Sequence, residues 1–317
     1  MKKFIFALIT VLALLAIIAW SGLLPASSGG PPAPPSPAGN LTPTPEVTPT
    51  PGIDAQEAEK KAEKVALEIF PEAQIDRTTV ELTGDGDYFL YACEVWTQDE
   101  KNIQVWIEPA AGDIRQFDVN GQMIGRPAEP VVSMDDARET AQAYVDEKSG
   151  GADLTQPSEQ YNPFSSGAFG TVAGRYSFNY DRLIRGVPCD SDSYSISVDA
   201  VTGEVCRYWK QWKTDEALCT ADTVPSVSGD DAKDAVRAYL KETWGDLPSL
   251  EIHTADLVWY DAPYFMKIRG TDPIPLVWEV RFDDDHYRSL TYPRMADAFV
   301  DAHTGEVLRS SYHPDAA

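Results

Sequence analysis

A short segment occurs three times along this chain: WIEPAAGDIRQF from Trp106, SVDAVTGEVCRY from Ser197 and FVDAHTGEVLRS from Phe299. In each copy an acid (Glu108, Asp199, Asp301) stands four residues before a glycine (Gly112, Gly203, Gly305), and the glycine is followed by an acid and a β-branched residue. An acid that opens a turn accepts backbone N–H groups two or three residues ahead, and glycine supplies the positive φ the bulge needs. The pattern therefore predicts one β-hairpin made three times, with these six residues as its structural turns.

Each hairpin is preceded by the signature of a capped amphipathic helix. The starts read DAQEAEKKAEKVA from Asp54, SMDDARETAQAYV from Ser133 and SGDDAKDAVRAYL from Ser228. Asp54, Ser133 and Ser228 are the expected N-caps, with Glu57, Asp136 and Asp231 near the positive end of each helix dipole. Ala58, Ala62, Val65 and Ala66 form one stripe; Ala137, Ala141, Tyr144 and Val145, and then Ala232, Val236, Tyr239 and Leu240, form its counterparts. Pro71, the Ser149-Gly150-Gly151 run and Gly245 are the stops.

Between helix and hairpin the apolar residues alternate. Phe89, Tyr91, Cys93 and Val95 do so in the first copy, Tyr176, Phe178 and Tyr180 in the second, and Trp278, Val280 and Phe282 in the third. Alternation marks antiparallel strands with one buried face, and the helix stripe is the natural cover for that face. The fold class expected is α+β, as tandem small modules of one helix on an antiparallel sheet of three to four strands. The boundaries read as 54–126, 127–224 and 225–317, with the second and third modules packed together because each alone is marginal in size.

The N-terminus carries other information. Met1-Lys2-Lys3 precedes an uncharged apolar run from Phe4 to Leu24, so residues 1–24 read as an export signal or anchor helix. Its length favours a retained single-pass anchor with the remainder outside the membrane, secretion after cleavage being the alternative. Residues 25–53 are rich in Pro and Thr, as in TPTPEVTPTP from Thr42, and read as an extended linker. A formal net charge of −24 without basic stripes argues against nucleic acid as a partner. All four cysteines, Cys93, Cys189, Cys206 and Cys219, lie in the exported part, where oxidation is permitted. Three connectivities are open, and the clustering of Cys189, Cys206 and Cys219 favours a disulfide among those three over one to Cys93.

The VDAVTGEV and VDAHTGEV segments, the aromatic strand ending in WEV (Trp278 to Val280) and the capped helix upstream resemble the PepSY domain. The second module, with YSFNYDRLIRGVP from Tyr176 and VDAVTGEVCRYW from Val198, is also similar to the YcdB/YcdC-type repeat of exported proteins. The first module departs from the pattern, with Glu108 for Asp and Ala111 for Thr. The resemblance implies an extracytoplasmic, non-enzymatic α+β module that acts on an exported or envelope protein, such as a peptidase. No peptidase domain follows, so such a partner would be a separate protein.

The residues themselves offer little catalysis. Glu108 with Asp113, Asp199 with Glu204 and Asp301 with Glu306 look like acid pairs, but catalytic dyads need unequal environments that a hairpin turn does not supply. There is no HExxH, no cysteine pair at zinc spacing, no EF-hand loop and no GxSxG elbow. Asp283-Asp284-Asp285 beside His286 is the densest ligand set and reads as a loop between strands. No enzyme activity, metal or cofactor is expected. The segment from Ser149 to Ala173, long and Gly/Ser-rich, reads as a loop whose Tyr161, Phe164 and Phe169 contact a partner. The expected function is a non-catalytic binding protein of the cell envelope, with an envelope hydrolase whose site lies between modules, or a passive cell-surface structural protein, as alternatives.

Overall fold

Three side chains start the main helices. In the computed structural model, which describes residues 52–85, 88–120, 125–166, 170–260 and 273–314, Asp54, Ser133 and Ser228 accept hydrogen bonds from the N–H groups of Glu57, Asp136 and Asp231 at 2.8, 3.1 and 3.2 Å. Each cap, worth about 1 kcal/mol, opens one helix: α1 (Ala55–Ile69), α2 (Met134–Ser149) and α3 (Gly229–Trp244). They end at Phe70 before Pro71, at Gly150 with φ 64° and at Gly245 with φ 85°. The alanines of each stripe are buried, and their small size lets the helices lie close on the sheet. Tyr144 and Tyr239 sit at the stripe's margin and are half-buried.

Among the described residues each of these three helices is followed by four strands. These are β1 (Ile75–Asp85), β2 (Tyr88–Thr97), β3 (Asn102–Ile107) and β4 (Ile114–Val119) after α1. After α2 come β5 (Ser158–Ser166), β6 (Gly170–Ile184), β7 (Val187–Asp199) and β8 (Val205–Gln211). After α3 come β9 (Glu251–Trp259), β10 (Leu276–Asp283), the short helix α4 (Asp285–Ser289), β11 (Ala296–Asp301) and β12 (Val307–Ser310). Within each group neighbouring strands pair antiparallel. The α+β class is observed, with helices on one face of antiparallel sheets.

The joints between groups differ in kind. Strand β4 pairs directly with β8 (Gln116↔Trp209, Phe117↔Tyr208, Asp118↔Arg207), so the first two sheets run on as β1-β2-β3-β4-β8-β7. One apolar core accordingly lies under both α1 and α2. The third group joins at the tip of the β6–β7 hairpin, beyond the end of β8, through a parallel bridge of Cys189 to Trp259. There the Trp259 Nε1–H donates to the Ile184 carbonyl at 2.9 Å, and Arg185 Nη1 donates to the carbonyls of Cys219 and Ala221 at 3.0 and 2.9 Å. The expected contact between second and third modules exists, but the first pair shares a ladder of backbone hydrogen bonds.

Three expectations need correction. The segment from Ser149 to Ala173 is not one long loop: β5 occupies Ser158–Ser166 and pairs with β6. Pro163 disguised it, and it is tolerated because β5 is an edge strand with a register shift at Asn162/Phe164. The Asp283–Asp285 run is likewise no loop, since it closes β10 and caps α4. Cys93, Cys189, Cys206 and Cys219 are thiols, not disulfide partners. Their nearest groups explain this: Cys189 Sγ lies 3.1 Å from Thr214 Oγ1, Cys206 Sγ faces the Ser197 carbonyl at 3.4 Å, and Cys93 lies beneath Ala58 of α1. The N-terminal apolar segment and the Pro/Thr linker up to residue 51 lie outside the described residues. Among the described residues no helix is long and apolar enough to cross a membrane.

Candidate functional site

The repeated turns are brackets rather than free tips. Gly112, Gly203 and Gly305 have φ of 72°, 75° and 76°, and each donates its N–H to Glu108, Asp199 or Asp301 at 2.8, 2.9 and 2.9 Å. In each turn the residue after the acid accepts two hydrogen bonds from the strap leading into the helix. Pro109 accepts from Gly52 and Ile53, Ala200 from Val131 and Val132, and Ala302 from Ser226 and Val227, all between 2.9 and 3.0 Å. The strap residue before each N-cap turns its own carbonyl to an aromatic of the sheet. Tyr91 Oη donates to Ile53 at 3.2 Å, Tyr176 Oη to Val132 at 3.0 Å and Trp278 Nε1 to Val227 at 2.9 Å. Hairpin, helix start and sheet are thereby locked together three times.

The acids follow from this. Asp199 Oδ1 accepts from the N–H groups of Val201 and Thr202 at 2.8 and 3.1 Å, and Asp301 Oδ1 from those of His303 and Thr304 at 2.9 and 2.8 Å. Burial opposes ionisation of both, but the hydrogen bonds prevail and hold each carboxyl below the ordinary aspartate range; for Asp199 the hydrogen bonds from Arg126 are the largest single lowering cause. Arg126 grips both oxygens of Asp199 at 2.8 and 2.9 Å and donates to the Ala173 and Gly174 carbonyls. Glu108 differs, since its carboxylate pairs with Arg115 at 2.6 Å. Neither aspartate is poised to exchange a proton near neutrality.

Two of the aromatic residues expected to meet a partner, Tyr161 and Phe164, are half-buried and pack against neighbouring side chains. Tyr161 lies on β5 with its ring 5.2 Å from that of Tyr176, and Phe164 sits under Arg126 at 5.3 Å. Gly174 permits this packing, because a Cβ there would lie 1.9 Å from the Asn162 carbonyl oxygen. Phe169 lies outside the described residues. The one ligand-like set among the described residues is Glu251, His253 and Asp283. Arg288 already occupies it, pairing with Asp283 and Glu251, while His253 Nε2 meets Asp283 at 3.1 Å. Asp284 is spent on the Tyr287 N–H at 2.9 Å and the Tyr312 hydroxyl at 2.7 Å.

A cleft of about 220 Å³ lies where β4 meets β8, between α1 and α2. Phe117, Tyr208 and Tyr144 line it as an aromatic cluster: Phe117 and Tyr208 stack at 5.9 Å, and Tyr144 meets both edge-on at 6.3 and 5.8 Å. Val65 and Ile114 complete the apolar lining. Its rim carries Lys148 and Lys210, with Glu68 and Asp113 opposite at 3.9 Å each, and Lys148 also pairs with its neighbour Glu147 at 2.8 Å. Burial pushes the Tyr144 and Tyr208 hydroxyls well above the ordinary tyrosine range, so both rings stay neutral. The surface is suited to holding an uncharged or mixed-charge side chain and offers no activated nucleophile. Sequence reading missed it because its residues come from four elements; Tyr144, an aromatic at the margin of a helix stripe, was the available signal.

A family model described as the YcdB, YcdC repeated domain matches residues 91–212. The match covers β2 to β4, α2 and β5 to β8, and so reaches beyond the second module into the strands joined to it through β4 and β8. No curated protein matches the chain. Among solved structures, the chain resembles the Bacillus megaterium YpeB C-terminal domain at 13% identity, over 82% of this chain and 97% of that one, with a TM-score of 0.46. An uncharacterized protein from Eubacterium rectale aligns at 12% identity over 81% and 83%, with a TM-score of 0.47. Likenesses this distant carry no functional information.

Proposed function

We propose that this chain is a non-catalytic binding protein built of PepSY-like modules, held outside the cytoplasm by its N-terminal segment, and that the cleft between α1 and α2 receives a segment of an exported or envelope protein. The observation that carries the reading is the cleft itself: an aromatic floor under a rim of Lys210, 3.9 Å from Asp113, and Lys148, which reaches Glu68 at 3.9 Å across the cleft while pairing with Glu147 at 2.8 Å. Loose pairs of this kind contribute little to folding and are readily exchanged for a partner's charges. Aromatic floors with a charged rim are the usual anatomy of protein–protein contacts. An exported peptidase is the partner class that the modules' resemblance favours.

The test places a photo-reactive amino acid at Tyr144 in the full chain, in its native membranes. The reading requires one exported protein to be captured reproducibly, and its capture to fall when Lys148 and Lys210 are both replaced by Glu. Turnover of a peptide or glycan substrate that survives repurification and is lost on substitution of Asp113 or Glu68 would instead favour a hydrolase with its site between modules.

A further inference from the structure

The helices cover only one face of the β1-to-β8 sheet, and the opposite face has an unusual composition. Residues facing outward on neighbouring strands follow from the register: Ala92 pairs with Trp106, Trp106 with Gln116, Gln116 with Trp209, Trp209 with Ser195 and Ser195 with Asn179. Large rings thus alternate with small or amide side chains along a line perpendicular to the strands. Trp209 is 43% exposed, Trp106 is half-buried, and Ala92 and Ser195 leave space beside their rings. With Gln116 between them, the two tryptophans stand two strand spacings apart, about 10 Å. That separation lets alternate rings of an extended sugar chain stack on them.

The adjoining row supplies hydrogen-bonding groups. Ser177 is partly exposed and accepts from Asn162 at 3.1 Å, its hydroxyl lying 3.1 Å from that of the buried Ser197, and Gln104 donates to Glu94 at 3.1 Å. Asp118 in this row is neutralised by Arg175 at 3.6 Å and Arg207 at 3.4 Å, and Glu94 is held by the Gln104 amide. Within a chain of net charge −24, a patch of indoles and amides whose arginines are paired with Asp118 does not complement a nucleic acid or an anionic membrane. It complements a neutral polymer with apolar C–H faces and many hydroxyl groups.

We propose that this helix-free face binds a neutral polysaccharide, with Trp106 and Trp209 as stacking platforms and Gln116 as the hydrogen-bonding group between them. The site is separate from the cleft between α1 and α2, on the other side of the sheet, and is independent of what that cleft binds.

The test is affinity electrophoresis of the full chain in mild detergent, through gels containing hydroxyethyl cellulose, a neutral mannan or, as the charged control, dextran sulfate. The expected result is retardation by at least one neutral polymer that added salt does not reverse. Trp209→Ala and Trp106→Ala are each expected to weaken it about tenfold, as loss of one stacking ring should, and Gln116→Ala less. Unfolding transitions are followed alongside; if Trp106→Ala unfolds the protein, Trp209→Ala, on the exposed ring, decides alone. Absence of retardation by both neutral polymers, or retardation that Trp209→Ala leaves unchanged, overturns the proposal. So does a wild-type dimer that Trp209→Ala converts to monomer, which would assign the face to a second copy of the chain.

Discussion

Val132 and Ala200 are joined by a hydrogen bond of 3.0 Å from the Val132 N–H to the Ala200 carbonyl, and through it the start of α2 is fixed to the β7–β8 hairpin. In that hairpin Gly203 holds φ at 75°, and a Cβ there would make only an ordinary contact with the Val132 side chain, at 3.5 Å. Gly203→Val therefore places a β-branched residue at positive φ. A loss of about 2–3 kcal/mol is expected, measured as a shift of the denaturation midpoint with an unchanged slope.

The aromatic donors to the straps give a matched set. Tyr91→Phe and Tyr176→Phe each leave a strap carbonyl without its partner while preserving the ring. Each is expected to cost about 1 kcal/mol. Trp278→Phe should cost more, because it also removes ring volume from the core around α3. Equal losses for the two tyrosines by chemical denaturation would establish that the brackets are equivalent.

Asp199 and Asp301 look alike in sequence but should respond differently. Asp199→Asn leaves Arg126, whose side chain is 11% exposed, without a counter-charge. It should cost about 2–3 kcal/mol, below the loss for a fully buried pair. Asp301→Asn keeps an oxygen for the His303 and Thr304 N–H groups and should cost under about 1 kcal/mol. Both carboxyls are held below the ordinary range, so the stability they give is present above pH ~4 and is lost as pH falls through their folded values. Acid titration of unfolding should show this loss reduced in Asp199→Asn.

Much of this was legible in the chain, for a physical reason. Caps, stops and stripes are local, and Asp54, Ser133, Ser228 and the buried alanines act within a few residues of themselves. The β4–β8 pairing was not legible, because nothing in IRQFDV or VCRYWKQ names its partner across about ninety residues. The strand at Ser158–Ser166 was hidden by Pro163 and by serine and glycine, and the cysteines by a rule about compartment that ignores where thiols point. Trp106 and Trp209 had a signal that went unused: they are large apolar residues at the outward beat of an alternating strand.

Asp190 supplies a pH dependence of opposite sign. Desolvation first, then Glu279, Asp297 and Asp181, with partial relief from Arg281, raise its carboxyl to about 6. A carboxyl raised on folding makes the native state bind more protons than the unfolded one, so its contribution weakens stability as pH rises from about 4 to about 6. Asp190→Asn should remove that slope and raise the midpoint of thermal unfolding at neutral pH, with no change below pH ~4.

The thiols give a simple check. Burial holds Cys93 and Cys206 up at about 12 and raises Cys189 as well. The folded protein should react slowly with a thiol reagent at pH 8 and yield all four thiols once denatured, without prior reduction.

The most direct test of a binding role at the cleft, with the repeated acids structural, is the affinity of the partner captured at Tyr144 for three variants. Tyr208→Ala and Lys210→Glu are predicted to weaken binding at least about tenfold, and Asp301→Asn to leave it unchanged. Unaltered affinity in the two cleft variants together with a loss in folded Asp301→Asn would contradict the account.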